Sequence, residues 1–133
     1  MELALVVLAV TDLHRSVGFY RQALGWEQVE AAPVYAELVS PAGLRLGLYE
    51  RTAFARNPGT APPTAPSGTS ATELYFRTAD VDAAVSRLQA AGAELLSPRV
   101  LRDWGDEAAY LADPDGNVVV VACPAAGAGM MDG

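Results

Sequence analysis

Apolar and polar residues follow one another along the chain in a pattern that occurs twice. In its first occurrence, residues 3–10 form an apolar run of strand length. A helix is predicted next, between a cap at Thr11 or Asp12 and a stop at Gly25. Its apolar residues recur at the spacing of one helix face, at Leu13, Val17, Tyr20 and Leu24.

Three strand-like segments complete this first occurrence, near 26–31, 34–39 and 44–50. The second half repeats the order, with a strand at 73–78, a helix from Asp80 to Gly92, and strands near 93–97, 107–112 and 117–123. Asp12 corresponds to Asp80 at an offset of 68 residues, and Gly43 to Gly116 at an offset of 73. The pattern predicts a tandem βαβββ repeat.

A segment rich in proline, glycine and serine separates the two halves of the chain. Residues 53–70, which read AFARNPGTAPPTAPSGTS, have the composition of a linker between the two modules. We therefore assign the first module to 1–52, the linker to 53–70, the second module to 71–124 and a loose tail to 125–133. At 133 residues, we expect these parts to form one structural domain.

Composition narrows the function classes. The net charge is −7 and all nine basic residues are arginines, so nucleic acid and anionic membranes are unfavourable partners. The apolar runs are too short to span a bilayer, and the N-terminus lacks the pattern of a signal peptide. The single cysteine, Cys123, allows no internal disulfide. We expect a cytoplasmic protein.

Two segments, one in each half, make the pattern specific: AVTDLHRSVGFYRQALGWE at 9–27 and AYLADPDGNVVVVA at 109–122. Together with the repeat, they resemble the vicinal oxygen chelate superfamily. That superfamily contains glyoxalase I, extradiol dioxygenases, fosfomycin-inactivating transferases and bleomycin-resistance proteins. The resemblance implies an α+β fold in which tandem βαβββ modules form a curved, cavity-enclosing mixed sheet.

The resemblance also indicates where metal ligands would lie in the metalloenzymes of this group. Carried onto this sequence, the four positions hold Leu5, Gly47, Glu73 and Val120. Only Glu73 can ligate a cation, and a zinc, nickel or iron site needs about three protein ligands. We therefore predict neither a metal site nor another cofactor.

The alternation of side chains along the strands predicts which residues line the cavity. The predicted ligand-binding residues are Glu73, Tyr75, Tyr49, Arg45, Trp104, Val7 and Val120. Some of them have a second interpretation. The two tyrosines suit half-buried strand positions as well as stacking on a flat ligand. Glu73 is equally suited to an ion pair with an arginine. Arg77 is interpreted as a surface charge, and Tyr110 as packing on a helix.

The sequence therefore favours a metal-independent binding protein similar to the bleomycin-resistance proteins. It would sequester a small organic compound, aromatic or cationic, in drug resistance or self-resistance, as a homodimer and without catalytic residues. The alternative is a glyoxalase- or dioxygenase-like enzyme whose metal uses other carboxylates, such as Glu37, Glu50 or Glu107. In a metal-free variant of that alternative, Glu73 would be the catalytic residue.

Overall fold

The computed structural model describes residues 1–58 and 70–126. The chain divides into two compact units, Met1–Thr64 and Ala65–Gly133. The first contains β1 (Val6–Val10), α1 (Leu13–Leu24), β2 (Glu27–Ala32), β3 (Tyr35–Val39), β4 (Arg45–Glu50) and α2 (Arg51–Arg56). The second contains β5 (Glu73–Arg77), α3 (Val81–Ala91), β6 (Glu94–Leu101), β7 (Asp106–Ala112) and β8 (Val118–Pro124).

The first unit is a four-stranded mixed sheet in the order β1-β4-β3-β2, with β1 and β4 parallel and the other pairs antiparallel. Its core lies on one face of the sheet. There, buried side chains of the strands meet the buried side of α1, which includes Phe19 and Tyr20. We call this side the helix face and the opposite side the open face.

The second unit has the same plan, with strand order β5-β8-β7-β6 and the one parallel pair between β5 and β8. Its helix face is filled by buried residues such as Leu111, Val119 and Val121, against Val81 and Leu88 of α3. The α+β architecture and the tandem βαβββ order predicted from the sequence are confirmed, and each four-stranded sheet is open.

Both long helices begin and end where the sequence predicts. The side chain of Asp12 accepts a hydrogen bond from the backbone N–H of Arg15 at 3.1 Å. In the same way, the side chain of Asp80 accepts one from the backbone N–H of Ala83 at 3.0 Å. Gly25 and Gly92 end the helices at positive φ, 69° and 113°, a conformation that glycine adopts without steric penalty.

Strand register reproduces the internal repeat. In the first unit Val7 pairs with Gly47, and in the second Tyr75 pairs with Val120. These partners are related by the same offsets of 68 and 73 residues that the sequence shows. The equivalence of Gly47 and Val120 therefore holds in three dimensions.

Two predicted boundaries are corrected. The first strand begins at Val6 rather than at residue 3, so Leu5 lies just outside it. The predicted linker begins in a helix, because the carboxylate of Glu50 caps α2 by accepting from the N–H groups of Thr52 and Ala53. Most of the linker, 59–69, and the tail from 127 onward lie outside the described residues. No helix in the described parts is long and apolar enough to cross a membrane.

Candidate functional site

The open face of the first sheet carries a cluster built around one carboxylate. Glu37 on β3 is only 8% exposed. It accepts a hydrogen bond from the Tyr35 hydroxyl at 2.7 Å and one from Nη1 of Arg45 at 2.8 Å. We call these three residues the Glu37 cluster. A buried carboxylate is tolerated here because a cation and a hydroxyl replace its water.

Gly47 makes this cluster possible. It lies directly opposite Glu37 in the pairing of β3 with β4. An ideal Cβ built on Gly47 would lie 2.6 Å from the Tyr35 hydroxyl oxygen and 3.0 Å from a ring carbon. The phenol therefore occupies the volume that a side chain at position 47 would need.

Hydrogen bonding and burial set the charge states in this cluster. The hydrogen bond from Arg45, and then the one from Tyr35, hold the pKa of the Glu37 carboxyl below its usual range. Burial, together with the hydrogen bond to Glu37, raises the pKa of the Tyr35 phenol. The cluster therefore pairs a permanent carboxylate with a neutral phenol, and neither is suited to exchange protons at neutral pH.

The lowered pKa of Glu37 predicts a pH dependence of stability. Because the folded pKa lies below the unfolded one, the carboxylate stabilises the fold above about pH 4.3, and this contribution is lost as pH falls through the folded pKa. The variant E37Q should therefore show a shallower loss of unfolding free energy between about pH 5 and pH 3 in urea titrations. E73Q is the control for loss of one negative charge; equal slopes for E37Q and wild type would contradict the prediction.

Aromatic rings continue the open face beside the Glu37 cluster. Tyr35 and Tyr49 are opposite each other on β3 and β4, with ring centroids 5.2 Å apart in an edge-to-face arrangement. Phe54 of α2 packs on Tyr49 at 6.0 Å. All three rings are partly exposed, so this part of the face offers aromatic surface to a ligand.

The open face of the second sheet carries a different polar cluster, centred on Asp106. Its carboxylate accepts a hydrogen bond from the Tyr75 hydroxyl at 2.5 Å and lies 3.3 Å from Nη1 of Arg77. The indole N–H of Trp104 donates to the same Tyr75 hydroxyl at 2.8 Å. The Trp104 side chain is thereby fixed although the residue is 55% exposed.

The floor beneath this cluster is apolar. Val120 is fully buried among Ala108, Ala122, Tyr75 and Tyr110. Val120 therefore supports the two tyrosine rings from below and presents no surface of its own. Tyr110 pairs with Val120 and shares its face, so the interpretation that Tyr110 packs on a helix is wrong.

Arg102 secures the hairpin that carries Trp104. Its guanidinium lies 4.9 Å from the centroid of the Tyr110 ring and donates to the Ala108 carbonyl at 2.9 Å and to the Ser97 hydroxyl at 3.0 Å. This side chain joins β6 to β7 and fixes the start of the loop. The role of Arg102 depends on contacts across the hairpin, which no local sequence motif predicts.

The predicted site residues therefore belong to two open faces. Val7, Arg45 and Tyr49 lie on the first sheet, and Glu73, Tyr75, Val120 and Trp104 belong to the second unit. Glu73 is exposed, and its side chain makes no hydrogen bond or ion pair within residues 1–58 and 70–126, so no buried charge needs compensation there. Sequence reasoning did not assign roles to Tyr35, Asp106 or Arg102.

Comparison with known proteins identifies the fold family. Residues 5–122 match the family model described as a glyoxalase-like domain. The chain belongs to this family. The membership confirms the resemblance to the vicinal oxygen chelate superfamily, and no curated protein matches the sequence.

Solved structures of other glyoxalase-like proteins have the same fold. A glyoxalase-related enzyme from Fulvimarina pelagi is 27% identical, with a TM-score of 0.78 over 92% of this chain and 87% of that one. A glyoxalase/bleomycin resistance protein/dioxygenase from Nocardioides is 26% identical, with a TM-score of 0.77 over 96% and 86%. A family enzyme from Burkholderia phytofirmans PsJN, 21% identical with a TM-score of 0.78 over 93% and 99%, shares the fold.

The residues at the four positions that the superfamily resemblance implies for metal ligands do not suit a metal ion in this chain. Leu5 and Val120 are aliphatic, Gly47 has no side chain, and only Glu73 offers an oxygen ligand. Within residues 1–58 and 70–126, no three His, Cys, Asp or Glu side chains are grouped to hold one. The phenol of Tyr35 fills the space at Gly47. We derive no metal-dependent step for this chain.

Proposed function

We propose that this glyoxalase-like protein is a metal-independent binding protein for a small organic molecule. The observation that carries the proposal is the chemistry of the four metal-ligand positions, where a single carboxylate remains. In place of ligands, the two open faces present aromatic rings and a few oriented polar groups. That combination is typical of sites that bind organic molecules.

The carboxylates that an alternative metal site would use are engaged elsewhere. Glu37 is held by Tyr35 and Arg45, and Glu50 caps α2. Glu107 lies 3.8 Å from Nε of Arg99, which also pairs with Asp82 of α3. Each of these acids would have to abandon a partner before it could bind a cation, which disfavours the enzyme alternative.

Catalysis keeps one argument in its favour, because the Fulvimarina pelagi relative is described as an enzyme. The exposed Glu73 would be the base of a metal-free reaction. Turnover of glutathione hemithioacetals and of catechols should therefore be assayed. Activity that E73Q abolishes would replace the binding proposal with an enzymatic one.

Metal analysis tests the proposal first. The purified, untagged protein is incubated with Ni²⁺, Zn²⁺, Fe²⁺ and Mn²⁺ in turn, desalted, and examined by elemental mass spectrometry. We expect far less than one ion per chain for every metal, since a single carboxylate cannot retain a divalent cation through desalting. One ion per chain for any of them would refute metal independence.

The proposed ligand class is an aromatic compound, neutral or cationic. Trp104 and Tyr49 offer partly exposed rings, and the net charge of −7 attracts cations. Sequestration of a toxic compound of this class, as in drug resistance or self-resistance, is the role that we propose. Calorimetry with aromatic cations and their neutral analogues should identify a saturable ligand.

The hydrogen bond between Tyr75 and Trp104 gives this binding a specific test. Y75F keeps the ring but removes the hydroxyl that fixes the indole, whereas W104A removes the indole itself. We expect W104A to weaken binding by up to about tenfold and Y75F to weaken it less, because the free indole must then be ordered on binding. Equal affinity of W104A and wild type for every ligand found would exclude Trp104 from the site.

We also propose a homodimer. The edge strand β6 exposes Leu96 and Leu101, 51% and 66% exposed, and an exposed apolar edge strand favours association. Sedimentation equilibrium of wild type and of L96E/L101E would test this assignment. A wild-type monomer at micromolar concentration would contradict it.

A further inference from the structure

A groove runs along the helix face of the first unit, between α1 and the hairpin of β2 and β3. Its volume is about 800 Å³. Val17 and Gly18 of α1 form one wall, and Gln28 and Ala31 of β2 belong to the other. The sheet separates this groove from the Glu37 cluster, since Ala31 pairs with Ala36 on the helix face and Glu37 points to the open face.

The charge of the groove is opposite to that of the protein. Among the described residues that line it, none is Asp or Glu, although the whole chain has a net charge of −7. The lining instead contains Arg21 and His14, both on exposed positions of α1. An arginine in a described lining without acids favours an anionic group over a cationic one.

The two basic side chains are available to a ligand. Within residues 1–58 and 70–126, neither Arg21 nor His14 makes a side-chain hydrogen bond or an ion pair. By contrast, Arg45, Arg77 and Arg102 are each engaged by partners in their own sheet. The five N–H donors of a guanidinium suit a carboxylate or sulfonate in a bidentate arrangement.

Apolar surface lies between the two basic groups. Val17 and Leu13 are half-buried on α1, and Trp26 follows the end of the helix. His14 and Arg21 are seven residues apart, which corresponds to about 10 Å along a helix. A flat hydrophobic body of that length can lie on Val17 with its anionic end at Arg21.

Gly18 gives independent support for a ligand. Glycine inside a helix disfavours that helix relative to alanine, and no packing neighbour among the described residues requires it here. A Cβ at Gly18 would meet no atom within 4 Å. The missing side chain therefore widens the groove without accommodating any described part of the protein.

We propose that this groove is a second binding site, which accepts an amphipathic organic anion: an aromatic or aliphatic body with one carboxylate or sulfonate. Arg21 binds the anionic group and His14 contributes a hydrogen bond at the other end. The body lies against Val17, Trp26 and the space above Gly18. The site is independent of the open faces, so it stands or falls separately from the proposed function.

The test uses two dyes of the same shape. 8-Anilinonaphthalene-1-sulfonate is an amphipathic anion, and N-phenyl-1-naphthylamine is its neutral analogue. In a W104F background, Trp26 is the remaining tryptophan, so energy transfer from Trp26 to the dye reports that the dye is bound, and the variants below locate it. The variants are G18L, which fills the groove, R21Q, which removes its charge, and the control G18A.

We expect the sulfonate dye to bind wild type at least tenfold more tightly than the neutral dye. G18L should weaken both dyes by tenfold or more, whereas R21Q should weaken only the sulfonate dye. G18A should raise the thermal midpoint and keep most of the binding, which shows that G18L acts through volume and not through the helix. Circular dichroism verifies that every variant is folded.

Two results would overturn the proposal. Unchanged affinity of the sulfonate dye in folded G18L and R21Q would place the dye outside the groove. Equal affinity of wild type for the two dyes, or equal losses of both dyes in R21Q, would refute selection for an anion.

Discussion

Replacement of Val120 by glutamate should lower the free energy of unfolding by about 3 kcal/mol or more. Val120 is fully buried among Ala108, Ala122 and two tyrosines, and a carboxylate there would lose its water without gaining a partner. The expected loss is measured by urea denaturation at pH 7.5. Because protonation neutralises a buried carboxyl, the penalty should be smaller at pH 4.5.

The exposed strand position Val29 provides the control for V120E. V29E places the same charge on β2, where the side chain reaches water, and should change stability by no more than about 0.5 kcal/mol. If V120E and V29E had equal effects, the apolar floor under Tyr75 and Tyr110 would not exclude water as described. The experiment thus tests directly why position 120 cannot carry an acid.

The second large effect is expected for G47A. The added methyl group would approach the Tyr35 hydroxyl to 2.6 Å, so it must displace the phenol from Glu37. Overpacking of this kind typically lowers the free energy of unfolding by about 1–3 kcal/mol. Thermal or urea denaturation of G47A against wild type measures the loss.

A double-mutant cycle with Y35F separates the clash from other effects of alanine. Y35F removes the oxygen that lies nearest to the new methyl group but keeps the ring. The penalty of G47A should therefore be smaller in Y35F than in wild type, which gives a favourable coupling energy between the two sites. Additive effects would mean that the phenol and position 47 do not compete for space.

Most of the fold, namely the order of its elements and the ends of its long helices, is predictable from the sequence. Asp12, Gly25, Asp80 and Gly92 mark the helix ends by local chemistry, and local chemistry suffices because a cap needs only its own first or last turn. The offsets of 68 and 73 residues gave the equivalence of Gly47 with Val120 before any register was known.

The polar clusters were less predictable, because they depend on pairing between strands. Glu37 meets Arg45 only through the register of β3 with β4, which follows from the SPAG turn and not from either strand alone. Tyr110 was assigned to the wrong face for the same reason. Five residues, 113–117, separate the paired Ala112 and Val118, and one residue fewer in that loop would have changed the register.

The position of Gly18 shows another limit of sequence reasoning. A glycine inside a helical pattern indicates either close packing at that position or a weak helix, and the amino-acid sequence alone does not distinguish the two. Only the empty space around its Cα indicates a third use, the widening of a groove.

The two halves of the repeat differ in the length of the hairpin between their second and third strands. Glu37 lies ten positions after the start of β2, whereas the equivalent Tyr110 lies sixteen positions after the start of β6. Trp104 and its anchor Arg102 are both on this longer hairpin. The first unit thus holds its polar cluster on paired strands, where any insertion shifts a register. The second unit holds an exposed aromatic ring on a segment whose length can change while the sheet is preserved. That hairpin is therefore the part of the protein where substitutions and insertions can change ligand binding with the least effect on the sheet.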